Sequence, residues 1–158
     1  LSELSASAPA GGTGIASLYE LARQVRATGR CEVLLGARRA GDLMGREDFE
    51  ALGAGLRVAT EDGSAGTRGL VTALLEQALA EPGPTRVYAC GPTPMMRRAT
   101  EIAAAAGAAA VASLENHMAC GFGVCLGCAV PARAGGYALV CRDGPVFAAG
   151  EVAWEGLP

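Results

Sequence analysis

Hydrophobic positions follow two alternating patterns along the first two thirds of the chain. Ile15, Leu18, Ala22 and Val25 recur at 3-4-3 spacing, which is one face of a helix, and Gly29 stands where a helix-ending glycine belongs. Residues 31–35 (CEVLL) form a short apolar run closed by Gly36, the pattern of a buried strand. The alternation repeats with a short helix over 46–52, a strand over 56–60, and a helix that aligns Leu70, Leu74 and Ala78. A strand over 86–89 leads to Cys90-Gly91-Pro92. Thr93 is the expected N-cap of the next helix, with Pro94 at its first position and Gly107 at its end. Residues 108–114 predict the last strand of the series.

Strands alternating with helices predict an α/β fold with a mostly parallel, doubly wound sheet covered on both faces. After Leu114 the helical period disappears and short strands and glycines take over. The expected division is a frayed start over 1–9, an α/β nucleotide-binding domain over 10–114, and a small cysteine-rich lobe over 115–158.

Composition narrows the function classes. The 158 residues carry a formal net charge of −3 and only 4% aromatics, so neither the basic face nor the stacking aromatics of a nucleic-acid binder is present. No window reaches the ~18 apolar residues of a membrane span. The first residues lack a basic segment followed by an apolar core, so no signal peptide is expected. Six cysteines in such a chain favour metal binding or reactive thiols over a disulfide framework, with a reducing cytoplasm as the expected setting.

Four of those cysteines carry the chemistry. Cys120, Cys125 and Cys128 stand at C-x4-C-x2-C spacing on a glycine-rich loop, and Cys141 follows. This is the plant-type spacing for a [2Fe–2S] cluster, in which Gly121, Gly123 and Gly127 let the loop fold closely and leave backbone N–H groups free for sulfur. A structural zinc on four cysteines is the rival reading, although zinc sites generally pair their ligands as two close knuckles. A Rieske centre needs two histidines, and His117 is the only one. His117 reads as a loop residue beside the motif, with a proton-linked role as the lesser reading.

A second constellation suits a dinucleotide. Gly11, Gly12, Thr13 and Gly14 precede a helix, where backbone N–H groups can cradle a pyrophosphate, although the full G-x-G-x-x-G is absent and a plain tight turn reads as well. Further turns fall at strand ends over 36–42, at Thr60, Glu61, Asp62 and Gly63, and at Cys90-Gly91-Pro92. In an open α/β sheet, ligands bind beyond those ends. Arg38 and Arg39 are candidates for a ribose or phosphate contact, or a solvated charged turn. Cys90 is either a group held close to a flat ring or a small buried hydrophobe. Met95 and Met96 are more often helix core.

In this order the pieces resemble the ferredoxin–NADP reductase superfamily, and within it the electron-transfer subunits of class 1B dihydroorotate dehydrogenases. The matching residues are Gly11-Gly-Thr-Gly-Ile-Ala16, Thr60-Glu-Asp-Gly-Ser64, Tyr88-Ala-Cys-Gly-Pro92 with Met95, and Ser113 through Cys128, followed by Val140-Cys-Arg-Asp-Gly-Pro-Val-Phe147. The resemblance implies a relay in which NADH passes a hydride to FAD, and a [2Fe–2S] cluster hands single electrons to a separate FMN-containing dihydroorotate dehydrogenase catalytic subunit. On that resemblance Cys120, Cys125, Cys128 and Cys141 ligate the cluster. Gly12, Thr13 and Gly14 line the pyrophosphate, and Cys90 and Gly91 lie at the nicotinamide–flavin contact, with Cys90 the catalytic candidate.

The family's flavin-binding barrel has no counterpart here, and residues before Gly11 lack the family's hydrophobic strand. The chain is therefore expected to be an electron-transfer portion, not a complete catalyst, with FAD a property of the full subunit. The reductase subunit of a hydrogenase, a ferredoxin:NADP oxidoreductase and a zinc-stapled interaction module remain the alternatives.

Overall fold

The computed structural model describes residues 5–81 and 85–157, apart from a few side chains near the start. Its centre is a seven-stranded sheet in the order β4-β3-β2-β1-β5-β6-β9. The strands are β1 (Ser5–Gly11), β2 (Cys31–Ala37), β3 (Gly55–Thr60), β4 (Thr67–Arg68), β5 (Thr85–Cys90), β6 (Ala109–Ser113) and β9 (Val146–Ala148). All neighbours are parallel except β6 and β9. From β1 the chain winds outward to β4, then returns to the other side of β1 with β5 and β6. The switch in direction lies between β1 and β5.

Each strand sends alternate side chains to opposite faces. Val33 and Leu35 of β2 meet α1 (Ile15–Thr28) and α2 (Arg46–Ala51), in a core that includes Leu18, Val25 and Phe49. Leu34, with Val87 and Ala89 of β5, faces the other way, towards α3 (Val71–Leu79) and α4 (Thr93–Ala105). Helix α4 ends as a glycine-terminated motif: Gly107, at φ +70, donates its N–H to the Ala104 carbonyl, and the next N–H, of Ala108, reaches Ala103.

The start of the chain differs from expectation. Residues 5–9 belong to β1, between β2 and β5, while residues 1–4 of the expected frayed start lie outside the described residues. The segment Ser5-Ala-Ser-Ala-Pro-Ala-Gly11 lacks large side chains because its buried positions, Ala8, Pro9 and Ala10, lie between helices packed on both faces. Pro9 is unusual in a central strand. It is accommodated because the β1–β5 register skips Ala8 and Pro9 while the β1–β2 register is continuous.

Three local expectations also shift. Leu70 is the N-cap of α3 and 61% exposed, so the core face is Val71, Leu74 and Leu75. Pro92, not Thr93, is the N-cap of α4, which places Pro94 one position later than expected. Gly29 ends α1 in extended backbone, donating its N–H to the Val25 carbonyl.

The cysteine-rich segment is not separately cored. Strands β7 (Ala129–Pro131) and β8 (Tyr137–Leu139) form an antiparallel hairpin, followed by the short helix α5 (Val140–Asp143). Strand β9 then pairs with β6 in the main sheet. Val130, Leu139, Val140, Phe147, Val152 and Trp154 join the same buried cluster as α3 and α4.

Candidate functional site

Beyond the carboxyl ends of the strands, on the α3–α4 face, lies a cavity of about 520 Å³. Gly11 and Gly12 form its floor after β1, Gly36, Ala37 and Arg38 come from the end of β2, and Glu61 from the end of β3. Leu70, Val71 and Thr72 at the start of α3 form one wall, and Pro92, Pro94, Met95 and Arg98 form another. Its position at the switch between β1 and β5 is where open α/β sheets take their ligands. A second hollow, of about 640 Å³, sits by Arg26, Cys31 and Glu32 near the opposite ends of the strands. Its position does not suit a dinucleotide.

Two glycine turns interlock at the floor. A Cβ on Gly91, at φ +146, would sit 2.9 Å from the Gly11 nitrogen. One on Gly14 would sit 2.8 Å from the Cys90 carbonyl. The backbones after β1 and β5 therefore touch, and Gly11 and Gly12 put no side chain into the floor. The side chain of Thr13 lies outside the described residues.

The turn after β3 is latched internally. Thr60 is fully buried; its hydroxyl donates to the Ala65 carbonyl at 2.7 Å and accepts the Ala65 N–H at 3.0 Å. Asp62 accepts the Ser64 N–H at 2.9 Å and the Ser64 hydroxyl at 2.6 Å. Those bonds hold its carboxyl below the usual carboxylate range. Ser64 in turn accepts the Ala40 N–H at 2.7 Å, tying this turn to the one after β2. Gly63 lies against the Arg68 side chain. Of the four residues expected to bind cofactor here, only Glu61 lines the cavity.

Cys90 occupies the end of β5 but not the cavity. Because Val87 and Ala89 face α4, Cys90 faces α1, fully buried in the other core. Burial pushes its thiol pKa up, against hydrogen bonds with Ser17 and Ser113. Met95 lines the cavity, whereas Met96 is buried core. The wall residue Arg98 is not singled out by the sequence, Leu70 reads there as helix core, and the rim residue Asp42 closes the strand-end turn over 36–42. A long side chain such as Leu70 at a predicted helix start was the available signal, but its spacing reads as core.

The four cysteines of the spacing motif come together as two pairs. Cys128 and Cys141 approach to 3.2 Å between sulfurs, and the Cys141 N–H points at the Cys128 sulfur at 3.5 Å. These contacts lower the Cys128 pKa, while Cys128 raises that of Cys141. The backbone N–H groups of Cys125 and Phe122, then the Cys125 thiol, lower the Cys120 pKa to about 6. The Gly127 N–H reaches the Cys125 sulfur at 3.4 Å. The loop achieves this with left-handed backbone at Gly121, Gly123 and Leu126, the last a costly conformation for a residue with a side chain.

Among the described residues, no group of three or more His, Cys, Asp or Glu side chains converges as ligands of one metal ion. Two thiol pairs suit a dinuclear cluster instead, since each iron of a [2Fe–2S] centre takes two protein sulfurs. N–H groups aimed at sulfur meet the same requirement, because they stabilise thiolate. The remaining thiols, Cys31 and Cys90, are buried in the α1 core. Among the described residues no helix is long and apolar enough to cross a membrane.

Residues 10–101 match the oxidoreductase NAD-binding domain family, and residues 115–153 match the iron-sulfur cluster binding domain of dihydroorotate dehydrogenase B. The chain is 46% identical over 145 residues to the electron transfer subunit of dihydroorotate dehydrogenase B (NAD(+)) from Caldanaerobacter subterraneus subsp. tengcongensis, covering 90% of this chain and 56% of that protein. It is 42% identical to the probable counterpart from Methanopyrus kandleri, covering 87% and 52%. The chain thus spans about half the length of the curated relatives it matches.

Among solved structures, the NADH-dependent reduced ferredoxin-NADP oxidoreductase superposes with a TM-score of 0.85 at 32% identity, covering 98% of this chain and 55% of that one. The C-terminal domain of a hydrogenase from Pyrococcus furiosus shares the fold at a TM-score of 0.55 and 15% identity, covering 70% and 90%. Cavity, paired sulfurs and both matches lead to one assignment: the chain belongs to the oxidoreductase NAD-binding domain family and carries, in the same polypeptide, an iron–sulfur binding domain of the dihydroorotate dehydrogenase B type.

Proposed function

We propose that the chain is the NAD(H)- and [2Fe–2S]-binding portion of a dihydroorotate dehydrogenase B electron-transfer subunit, working in pyrimidine biosynthesis in a reducing cytoplasm. The observation that carries this reading is the two sulfur pairs on a segment matching that enzyme's iron–sulfur domain. In the complete subunit, FAD and the cluster would link NADH to an FMN-containing catalytic subunit. FAD is assigned to the remaining length of such a subunit.

The residues divide the work. Gly11 and Gly12 keep the floor flat for a pyrophosphate, Gly14 lets the start of α1 approach the β5 turn, and Gly91 and Pro92 hold that turn against the floor. Met95 closes the apolar wall. Cys90, sealed on the opposite face, acts by positioning the strand end and not by touching the cofactor. Cys120 with Cys125, and Cys128 with Cys141, would each hold one iron of a [2Fe–2S] cluster. When bound, the cluster supplies transfer of one electron at a time, which lets a two-electron donor feed a one-electron path.

The test begins with anaerobically purified protein. Two irons and two acid-labile sulfides per chain, with visible absorption that dithionite bleaches, are expected. Mixing the reduced chain with an FMN-containing dihydroorotate dehydrogenase subunit should restore the absorption as the flavin is reduced. Zinc without sulfide would overturn the electron-transfer reading. A cluster that does not reoxidise with that partner, but does so with a hydrogenase, would move the chain to the reductase alternative.

A further inference from the structure

The latched turn after β3 leaves an uneven set of charges at the cavity rim. Thr60, Asp62 and Ser64 are all committed to bonds within the two neighbouring turns. Glu61 is held in place by its backbone N–H, which donates to the Ala37 carbonyl at 3.1 Å. Its carboxylate lines the cavity without a side-chain hydrogen bond or ion pair among the described residues. Across the rim, Asp42 is paired with Arg39 at 3.3 Å, and Arg98 with Glu76 at 2.8 Å. Arg38 is the guanidinium of the lining that has no carboxylate partner among the described residues.

We propose that Glu61 sets the choice of dinucleotide, favouring NADH over NADPH, and that Arg38 on the same rim is a latent phosphate contact. This rests on reading the cavity as the dinucleotide site. With the pyrophosphate over the glycine floor, the ends of β2 and β3 are where the adenosine ribose falls. A free carboxylate there accepts a hydrogen bond from the 2′-hydroxyl of NADH. The 2′-phosphate of NADPH puts two negative charges in its place, beside a carboxylate whose backbone the latched turn holds at the rim. The internal latch is what turns a surface acid into a selectivity element.

The test is titration of NADH and of NADPH, each followed by nucleotide fluorescence, into the 158-residue chain and two variants. The parent is expected to bind NADPH about tenfold more weakly than NADH, as one like-charge contact dictates. Glu61→Gln should narrow the gap to about twofold, chiefly by tightening NADPH, because the amide no longer repels phosphate. Adding Arg38→Ala should reopen it. Equal affinities in the parent, or an unchanged ratio in Glu61→Gln, overturns the role of Glu61. A double variant that keeps the narrowed gap overturns the role of Arg38. A parent that binds neither nucleotide overturns the site itself, and with it the nucleotide half of the proposed function.

Discussion

Replacing Gly14 by Ala tests whether the interlocked floor is as tight as the structure makes it. Gly14 has φ −58 and ψ −16, which any residue adopts, so alanine meets no backbone penalty there. Its Cβ, however, would lie 2.8 Å from the carbonyl carbon and oxygen of Cys90 and 2.9 Å from the Gly91 nitrogen. Ordinary contact starts at 3.4 Å, so the start of α1 must retreat by about 0.6 Å from a turn that is itself pinned against Gly11. Both partners are backbone and cannot rotate aside. Overpacking of this kind costs about 2–3 kcal/mol.

Gly12 is the matched control. It has φ +57 and open space around its missing Cβ, so alanine there pays only the left-handed backbone cost of about 1 kcal/mol. In a chain of this size each kcal/mol shifts Tm by about 2–4 °C. Thermal unfolding followed by circular dichroism should therefore place Gly14→Ala about 8 °C below the parent and Gly12→Ala about 3 °C below it. If Gly14→Ala melts with the parent, or above Gly12→Ala, the interlocking of the two turns is wrong.

Four other expectations follow from the cysteine segment and its packing. Trp154 is the chain's single tryptophan and is buried in the core shared with α3 and α4, so its fluorescence and far-UV circular dichroism should lose signal at the same denaturant concentration; separated midpoints would mean an independent lobe. Trp154→Ala should cost about 3–5 kcal/mol, measured by denaturation followed with far-UV circular dichroism, since the variant has no tryptophan left to fluoresce. In cluster-free, reduced protein, Cys120 should alkylate with a half-maximal rate near its pKa of about 6, whereas buried Cys31 and Cys90 should stay unmodified in the folded state at neutral pH, as read by mass spectrometry. The sign for stability is equally defined: the lowered Cys120 pKa adds stability that is complete above the ordinary thiol value of 9.0 and is lost as pH falls through about 6.

The sequence displayed the sheet's outer grammar clearly, because runs such as CEVLL and the face Ile15–Leu18–Ala22–Val25 are long enough to show their period. It hid β1, since a strand squeezed between two helical layers is built from Ala, Ser and Pro and carries no hydrophobic contrast. It also hid the fate of the Thr60–Ser64 turn. Polar residues after a strand look alike on paper, whether they latch the loop, as Asp62 does, or face a ligand cavity, as Glu61 does. Cys90 was ambiguous for a related reason: which face a strand-end residue takes depends on the register of its whole strand. The cysteine spacing was legible because it reflects local loop closure, while the partnering of Cys128 with Cys141 needed the β7–β8 hairpin to bring them together.

The pairing of β9 with β6 has a wider consequence. It stitches the sulfur-bearing segment to the edge of the sheet whose middle ends at the nucleotide cavity, and successive strands keep a spacing near ~4.8 Å. The separation between the two chemistries is thus set by strands of one sheet, not by the reach of a tether. Transplanting residues 115–157 onto another reductase would require that host to offer a matching bare edge strand, so evolution and engineering alike must move the two halves as a single piece.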